Sequence, residues 1–242
     1  WLFEGWNKGG YPEWWCSGNG IPFSFTESVD DFDIEMLSEY GAKKDIFIVG
    51  HHETGGQIQN YENQLEDAFN LYNLNGIKNI KTGYVNDVSK NIKRIDENGN
   101  INREWHHGQY MVNHFQKVIE LAAKYKLNII SHEPIKDTGL RRKYPNYISR
   151  EGAKGQEFNG FSSNGVNHAS ILPFTRLLSG PMDYTPGVFK LNNFRYVSPG
   201  SNVIDENAII PSTLAKELAL YVVYYSPMQM ACLLYTSPSP RD

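Results

Sequence analysis

The sequence predicts an α/β fold built on a parallel sheet, and three observations carry that prediction. Short apolar runs of strand length alternate with amphipathic segments of helical period in the order β-α-β-α-β. Units of roughly 30 residues or more in that order make a parallel sheet with right-handed crossovers. Two of the apolar runs close on clusters of polar residues, His51-His52-Glu53-Thr54 and Ser131-His132-Glu133-Pro134. The carboxyl end of a parallel strand is the rim where such folds place their chemistry. Finally, neither G-x-G-x-x-G nor G-x-x-x-x-G-K-[ST] occurs. An open doubly wound sheet fits the same rhythm, but without a phosphate loop a (β/α)8 (TIM) barrel is preferred.

Each element follows from local pattern. A Gly/Trp-rich loop from Gly5 to about Ser28 leads to a helix over residues 31–40, with acidic residues in its first turn. The apolar run at 45–50 predicts a buried strand ending at Glu53. Ile58, Tyr61, Leu65, Phe69 and Tyr72 recur at spacings of three and four and predict a helix stopped near Gly76. Residues 77–85 read as the next strand. The polar stretch 86–103, with Asp96-Glu97-Asn98-Gly99-Asn100, reads as a long loop or small hairpin. Tyr110, Met111, His114, Phe115, Val118, Ile119 and Ala122 form a second amphipathic helix, and the run at 127–130 a strand ending at Glu133. Farther on, residues 171–178 are expected to be helical, 180–189 a loop, and 214–225 the last helix.

Composition narrows the class. The chain has 242 residues, 40% of them hydrophobic, enough for a real core. A net charge of −4 leaves no electrostatic footprint for nucleic acid, and no apolar stretch is long enough to span a membrane. Aromatic residues reach 13% and include Trp1, Trp6, Trp14, Trp15 and Trp105, rings that serve either a core or a sugar-binding cleft. Residues 232–242 match, codon for codon, one reading frame of a transposase adapter used in sequencing libraries. They are therefore read as a non-native tail, leaving 1–231 as an incomplete catalytic domain whose first residues are expected to lie inside a strand. Cys232 falls in that tail, so Cys16 stands alone and says little about redox compartment.

The chemistry resides in glutamates: Glu53 and Glu133 at strand ends, Glu151 and Glu157 on the loop after them. Two carboxyl groups flanking a scissile bond serve glycoside hydrolysis, one as proton donor and one activating water, and in the inverting form they stand roughly 6.5–9.5 Å apart. Grouped carboxylates repel, and Ca²⁺, a hard cation taking carboxylate oxygens, relieves this. A solvated surface charge is the plainer reading of any single glutamate. Period-two alternation puts His51 on the face of Glu53 and turns His52 into the surrounding layer. Lys81 near a strand end suits a sugar hydroxyl or a counter-charge, or else is simply solvated. The histidines, His106 and His107 included, raise a zinc amidohydrolase as a rival. No H-x-H follows a strand, however, and the 106–107 pair opens a helix, where packing is the simpler role.

At these residues the chain resembles glycoside hydrolase family 97. The resemblance runs from Glu4-Gly5-Trp6-Asn7 through His51-His52-Glu53-Thr54, Lys81-Thr82-Gly83-Tyr84-Val85, Ser131-His132-Glu133 and Glu151-Gly152-Ala153-Lys154-Gly155-Gln156-Glu157. It continues through Leu172-Pro173-Phe174-Thr175-Arg176 and Gly180-Pro181-Met182-Asp183-Tyr184 to the neighbourhood of Tyr225. It implies a calcium-dependent exo-acting α-glucosidase or α-galactosidase, periplasmic or extracellular, acting on α-linked oligosaccharides. Its (β/α)8 catalytic domain stands behind an N-terminal β-sandwich, and this chain would hold roughly strands 2 to 7. By resemblance Glu157 is the general acid, and Glu53 with Glu133 the pair that activates water. Glu133, Glu151 and Glu157 ligate calcium, with a further ligand from the sandwich domain. Glu4, His51, Lys81 and His132 surround the terminal sugar. The retaining branch carries an Asp nucleophile where this chain has Gly83, so the inverting, α-glucosidase-like branch is expected. The 86–103 loop is longer than the resemblance predicts, which bears on linkage preference. A glycan-binding barrel without catalysis is the remaining alternative.

Overall fold

The computed structural model describes residues 1–9, 22–84, 92–160, 163–189, 191 and 209–231. Trp14, Trp15, Cys16, part of the Gly/Trp-rich loop, part of the 86–103 loop and the 232–242 tail lie outside the described residues. The chain forms two compact units, Trp1–Ile148 and Ser149–Asp242.

In the first unit, helix α1 (Ile34–Ala42) starts where Asp33 accepts the Met36 N–H at 2.9 Å, satisfying a first-turn donor. Strand β1 spans Val49–Glu53, shorter than the apolar run predicts. Ile46 donates its N–H back to the Gly41 carbonyl at 3.0 Å, so the start of the run closes the preceding helix. Ile46 and Phe47 are correspondingly exposed.

Helix α2 (Ile58–Leu74) buries the predicted stripe of Ile58, Tyr61, Leu65, Phe69 and Tyr72. Full burial stabilises by roughly 1.5–3 kcal/mol per large apolar side chain. It ends in a Schellman turn: Gly76 is left-handed (φ +70°), its N–H reaches Asn73, and the Ile77 N–H reaches Tyr72. Strand β2 (Asn79–Gly83) follows at once. The polar stretch contains the antiparallel pair β3 (Ile92–Ile95) and β4 (Ile101–Glu104), so the small-hairpin reading holds. Its turn is organised by Asp96, whose Oδ1 accepts the N–H groups of Asn98 and Asn100, both at 2.9 Å. Helix α3 (Gln109–Lys124) closes like α2, with Lys126 in the left-handed position, and delivers β5 (Asn128–Ser131).

A short α4 (Leu140–Lys143) precedes β6 (Tyr147–Arg150), a strand the apolar pattern does not announce because Tyr147 and Ile148 are followed directly by Ser149 and Arg150. The sheet order is β1-β2-β5-β6, with β1/β2 and β2/β5 parallel. The register sets His51 beside Lys81, Lys81 beside Ile130, and Glu53 beside Gly83. Side chains alternate along each strand. One face therefore carries His51, Glu53, Lys81 and Gly83, while Gly50, His52, Ile80 and Ile129 turn the other way, toward the core of Trp6, Phe25, Tyr61, Phe69 and Tyr72. At Gly50 even a Cβ would lie 2.1 Å from the Tyr72 ring, so the close helix–sheet approach needs glycine there.

The second unit opens at the end of β6. A parallel bridge joins Arg150 to Met182, and the Asp183 N–H donates to the Arg150 carbonyl at 3.0 Å, extending the parallel pattern. A 3₁₀ turn covers Gln156–Gly160, α5 spans His168–Ile171 and α6 spans Leu214–Val223. The helix expected over 171–178 is instead two 3₁₀ turns, Leu172–Phe174 and Arg176–Ser179. Pro173 lacks a donor, and Thr175 leaves the helical region at φ −130°, ψ −85°. Ala169, Leu172, Met182, Tyr184, Leu220 and Tyr224 form this unit's core. Among the described residues, no helix is long and apolar enough to cross a membrane.

Candidate active site

In the first unit the carboxyl ends of β1, β2 and β5 bring the polar motifs to one rim. His51, Glu53, Lys81 and His132 are buried there. Lys81 is thus no solvated strand-end lysine. The Glu53 carboxylate is held by its own turn, Oε1 accepting the Gly55 N–H at 2.7 Å. Its other oxygen leans over β2, where a Cβ built on Gly83 would lie 2.0 Å from Oε2. The space a side chain at 83 would fill is occupied by the Glu53 carboxylate.

Glu133, just past β5, has a left-handed backbone at φ +39°, uncommon for a residue with a Cβ and typical of functional strain. Two contacts hold it there. His106 Nε2 donates to the Glu133 carbonyl at 2.6 Å, and the Tyr84 N–H donates to Glu133 Oε2 at 2.9 Å. The carboxylates of Glu53 and Glu133 thus converge on the Gly83–Tyr84 end of the strand between them.

His51 Nε2 lies 3.8 Å from Glu4 Oε1, the more exposed partner. Burial first, then the nearby charges of Lys81 and His132, pull the His51 pKa down to about 3, so the imidazole is neutral at ordinary pH. His52, as its alternation predicts, belongs to the packing layer. Its Nδ1 meets the Tyr61 hydroxyl at 2.9 Å, it stacks on Tyr72, and burial lowers its pKa to about 3.

Sequence reasoning passed over a second tier of residues. The Tyr84 hydroxyl meets His114 Nε2 at 3.1 Å, and His114 Nδ1 meets Glu62 at 2.7 Å. Burial depresses the His114 pKa, against the opposing pull of Glu62. With the ring neutral and Glu62 ionised, the tautomer that satisfies both contacts has Nδ1–H on Glu62 and Nε2 accepting from Tyr84. His106, given only a packing role from sequence, is the donor that fixes the Glu133 peptide. Trp6 is core rather than sugar platform: it is buried, with its indole N–H on the His51 carbonyl at 2.7 Å, whereas Trp1 and Trp105 are exposed.

The second unit carries Glu151 and Glu157. Arg176 is its organiser: Nε donates to the Glu151 carbonyl at 3.0 Å, Nη2 to those of Arg150 and Pro181, and Nη1 to that of Gly180. Gly152 is left-handed (φ +63°), and a Cβ there would come within 2.7 Å of Arg176 Nε. Glu157 is exposed on the Gln156–Gly160 turn.

The comparisons with known proteins agree with these motifs. The family model Glycoside hydrolase 97 matches residues 1–153. A glycoside hydrolase family 97 enzyme from Pseudoalteromonas sp. strain K8, solved in complex with acarbose, is 51% identical with a TM-score of 0.85, covering 96% of this chain and 34% of that one. A variant of an enzyme of that family and source, solved with panose, is 50% identical with the same TM-score and coverage. The retaining alpha-galactosidase of Bacteroides thetaiotaomicron is 30% identical over 84% of this chain and 27% of its own length. A beta-arabinopyranosidase structure, 17% identical with a TM-score of 0.58, shares the fold. The chain thus spans about a quarter of that curated relative and about a third of the solved enzymes. With the family model covering more than half of its residues, the chain belongs to glycoside hydrolase family 97.

Proposed function

We propose that the chain is the catalytic portion of an exo-acting α-glucoside hydrolase that cleaves terminal α-glucosidic bonds in one inverting step. Its four parallel strands are an arc of a (β/α)8 barrel. The observation that carries the reading is at Gly83: the Glu53 carboxylate fills the place where a β2 nucleophile would stand, and Glu133 is anchored one residue along. Glu157 protonates the departing oxygen while Glu53 and Glu133 take the proton of a water attacking the anomeric carbon from the opposite face. Neutral His51, with Lys81, Glu4 and His132, binds hydroxyls of the terminal sugar. The high identity to an enzyme solved with acarbose, and to one solved with panose, a trisaccharide of α-linked glucose, supports an α-glucoside substrate.

Calcium is proposed with Glu133, Glu151 and Glu157 as ligands, carboxylates being the hard oxygen donors that Ca²⁺ takes. Bound there, it supplies positive charge that offsets repulsion among carboxylates. His114 engages both ring nitrogens with protein partners, which leaves it none for a zinc ion.

A retaining α-galactosidase is the second reading, favoured by the Bacteroides relative. NMR of the first product separates the two: β-anomer first supports inversion, and α-anomer first would overturn it. Glu157→Gln in the full-length protein should abolish turnover of maltose, whose leaving group needs a proton, and undiminished activity would remove Glu157 from its role.

A further inference from the structure

We propose that Glu217, on α6, is a positioning residue for Glu157, acting through Gln156; this rests on the reading of Glu157 as general acid. Glu217 is fully buried, and its two carboxylate oxygens are both used. Oε2 accepts from Gln156 Nε2 at 2.5 Å, and Oε1 accepts from the Ser212 hydroxyl. Burial raises its pKa, against the hydrogen bonds from Ser212 and Gln156.

A buried acid is a costly way to hold a helix, since an apolar side chain of similar volume packs as well or better. What the carboxylate supplies is direction. When ionised it only accepts, so it fixes which end of the Gln156 amide faces it. Gln156 Oε1 must then accept from Asn159 Nδ2, as it does at 2.6 Å. Asn159 Oδ1 in turn accepts the Asn164 N–H at 2.9 Å, and Asn164 Nδ2 donates to the Gly155 carbonyl at 2.9 Å. The Gln156 N–H is held by the Tyr184 carbonyl at 3.0 Å. Gln156, Asn159 and Asn164 are all buried. One polar chain therefore runs from Glu217 along the Gln156–Gly160 turn, with the Gln156 and Asn159 amide orientations set from Glu217, and Glu157 is the charged residue the turn presents.

The test compares maltose with 4-nitrophenyl α-glucoside, whose leaving group departs without a proton, in the full-length protein. Glu217→Leu should lower kcat on maltose by about 30-fold or more, with less than about a 3-fold change on the nitrophenyl substrate and little change in KM. Glu217→Gln keeps an acceptor for Gln156 and a polar partner for Ser212, and should restore maltose turnover to within about 5-fold. If Glu217→Leu does not fold, Gln156→Met breaks the same link while leaving the Glu217–Ser212 contact, and should show the same split. Equal losses on both substrates, or no loss on maltose, would overturn the inference. Glu157→Gln run in parallel separates the two levels. If it lacks the split, the general-acid reading itself fails; if it shows the split and the Glu217 and Gln156 variants do not, the positioning role alone falls.

Discussion

Gly83→Ala is a one-methyl perturbation with a large expected effect. The added Cβ would lie 2.0 Å from Glu53 Oε2, so the carboxylate must retreat by more than about 1 Å to reach ordinary contact. Glu53 is buried, and its other oxygen is tied to the Gly55 N–H at 2.7 Å, so retreat strains or breaks a charge-assisted hydrogen bond of about 1.5–3 kcal/mol. A displacement of about 1 Å in a reacting group costs about 100-fold in rate, equivalent to about 2.7 kcal/mol. The expectation is a fall of about 100-fold in kcat on maltose and a loss of about 2 kcal/mol in stability, read by urea unfolding of the full-length protein. Gly165→Ala, where nothing lies within 4 Å of the added carbon, is the control and should be near neutral. A double-mutant cycle completes the assay: in a Glu53→Ala background there is no carboxylate to displace, so Gly83→Ala should cost little more. Wild-type activity in Gly83→Ala, or an equal cost in both backgrounds, would refute the steric argument.

Two further outcomes are expected. Stability should decline as pH falls from about 6.5 toward 3, because unfolded His51 and His52 take up protons that the folded, buried rings refuse until about pH 3. His52→Gln should remove up to one proton, about 1.4 kcal/mol per pH unit, from that slope in urea titrations, and an unchanged slope would contradict the burial argument. Chelation should lower both activity and melting temperature, with Ca²⁺ restoring them and Zn²⁺ failing to; restoration by zinc would favour the amidohydrolase alternative.

What the sequence made legible follows the range of the interactions. Strands β1, β2 and β5 are readable because apolar runs end abruptly in polar motifs. The pairing of His51 with Glu53 on one face follows from period-two alternation alone. Strand β6 is hidden because only Tyr147 and Ile148 are apolar, while Ser149 and Arg150 are buried by tertiary contacts that leave no local mark. The 171–178 helix fails at Pro173, whose missing N–H is a local signal against a continuous helix. The role of Gly83 depends on register: Glu53 and Gly83 are cross-strand partners 30 positions apart, and nothing local to either predicts the contact. Glu217 lies farther still, 61 positions from Gln156, and on a helix a glutamate reads by default as a solvated charge.

Main-chain N–H groups hold both carboxylates of the rim, and this bears on how the site tolerates change. Glu53 is anchored by the Gly55 N–H and Glu133 by the Tyr84 N–H, while the carbonyl of Glu133 is fixed by His106. A main-chain donor at a strand end moves with the sheet, so the aim of Glu53 and Glu133 is tied to the β1/β2/β5 register. Glu133 shows the cost of that arrangement. Its left-handed backbone is disfavoured by about 1–2 kcal/mol, and relaxing it would sacrifice both the His106 and the Tyr84 contacts. Substitutions that alter the backbone path or the space above β2 are therefore expected to disturb the site even where no charged group is removed. A single methyl at position 83 therefore probes the position of the Glu53 carboxylate without removing any charged group from the first unit.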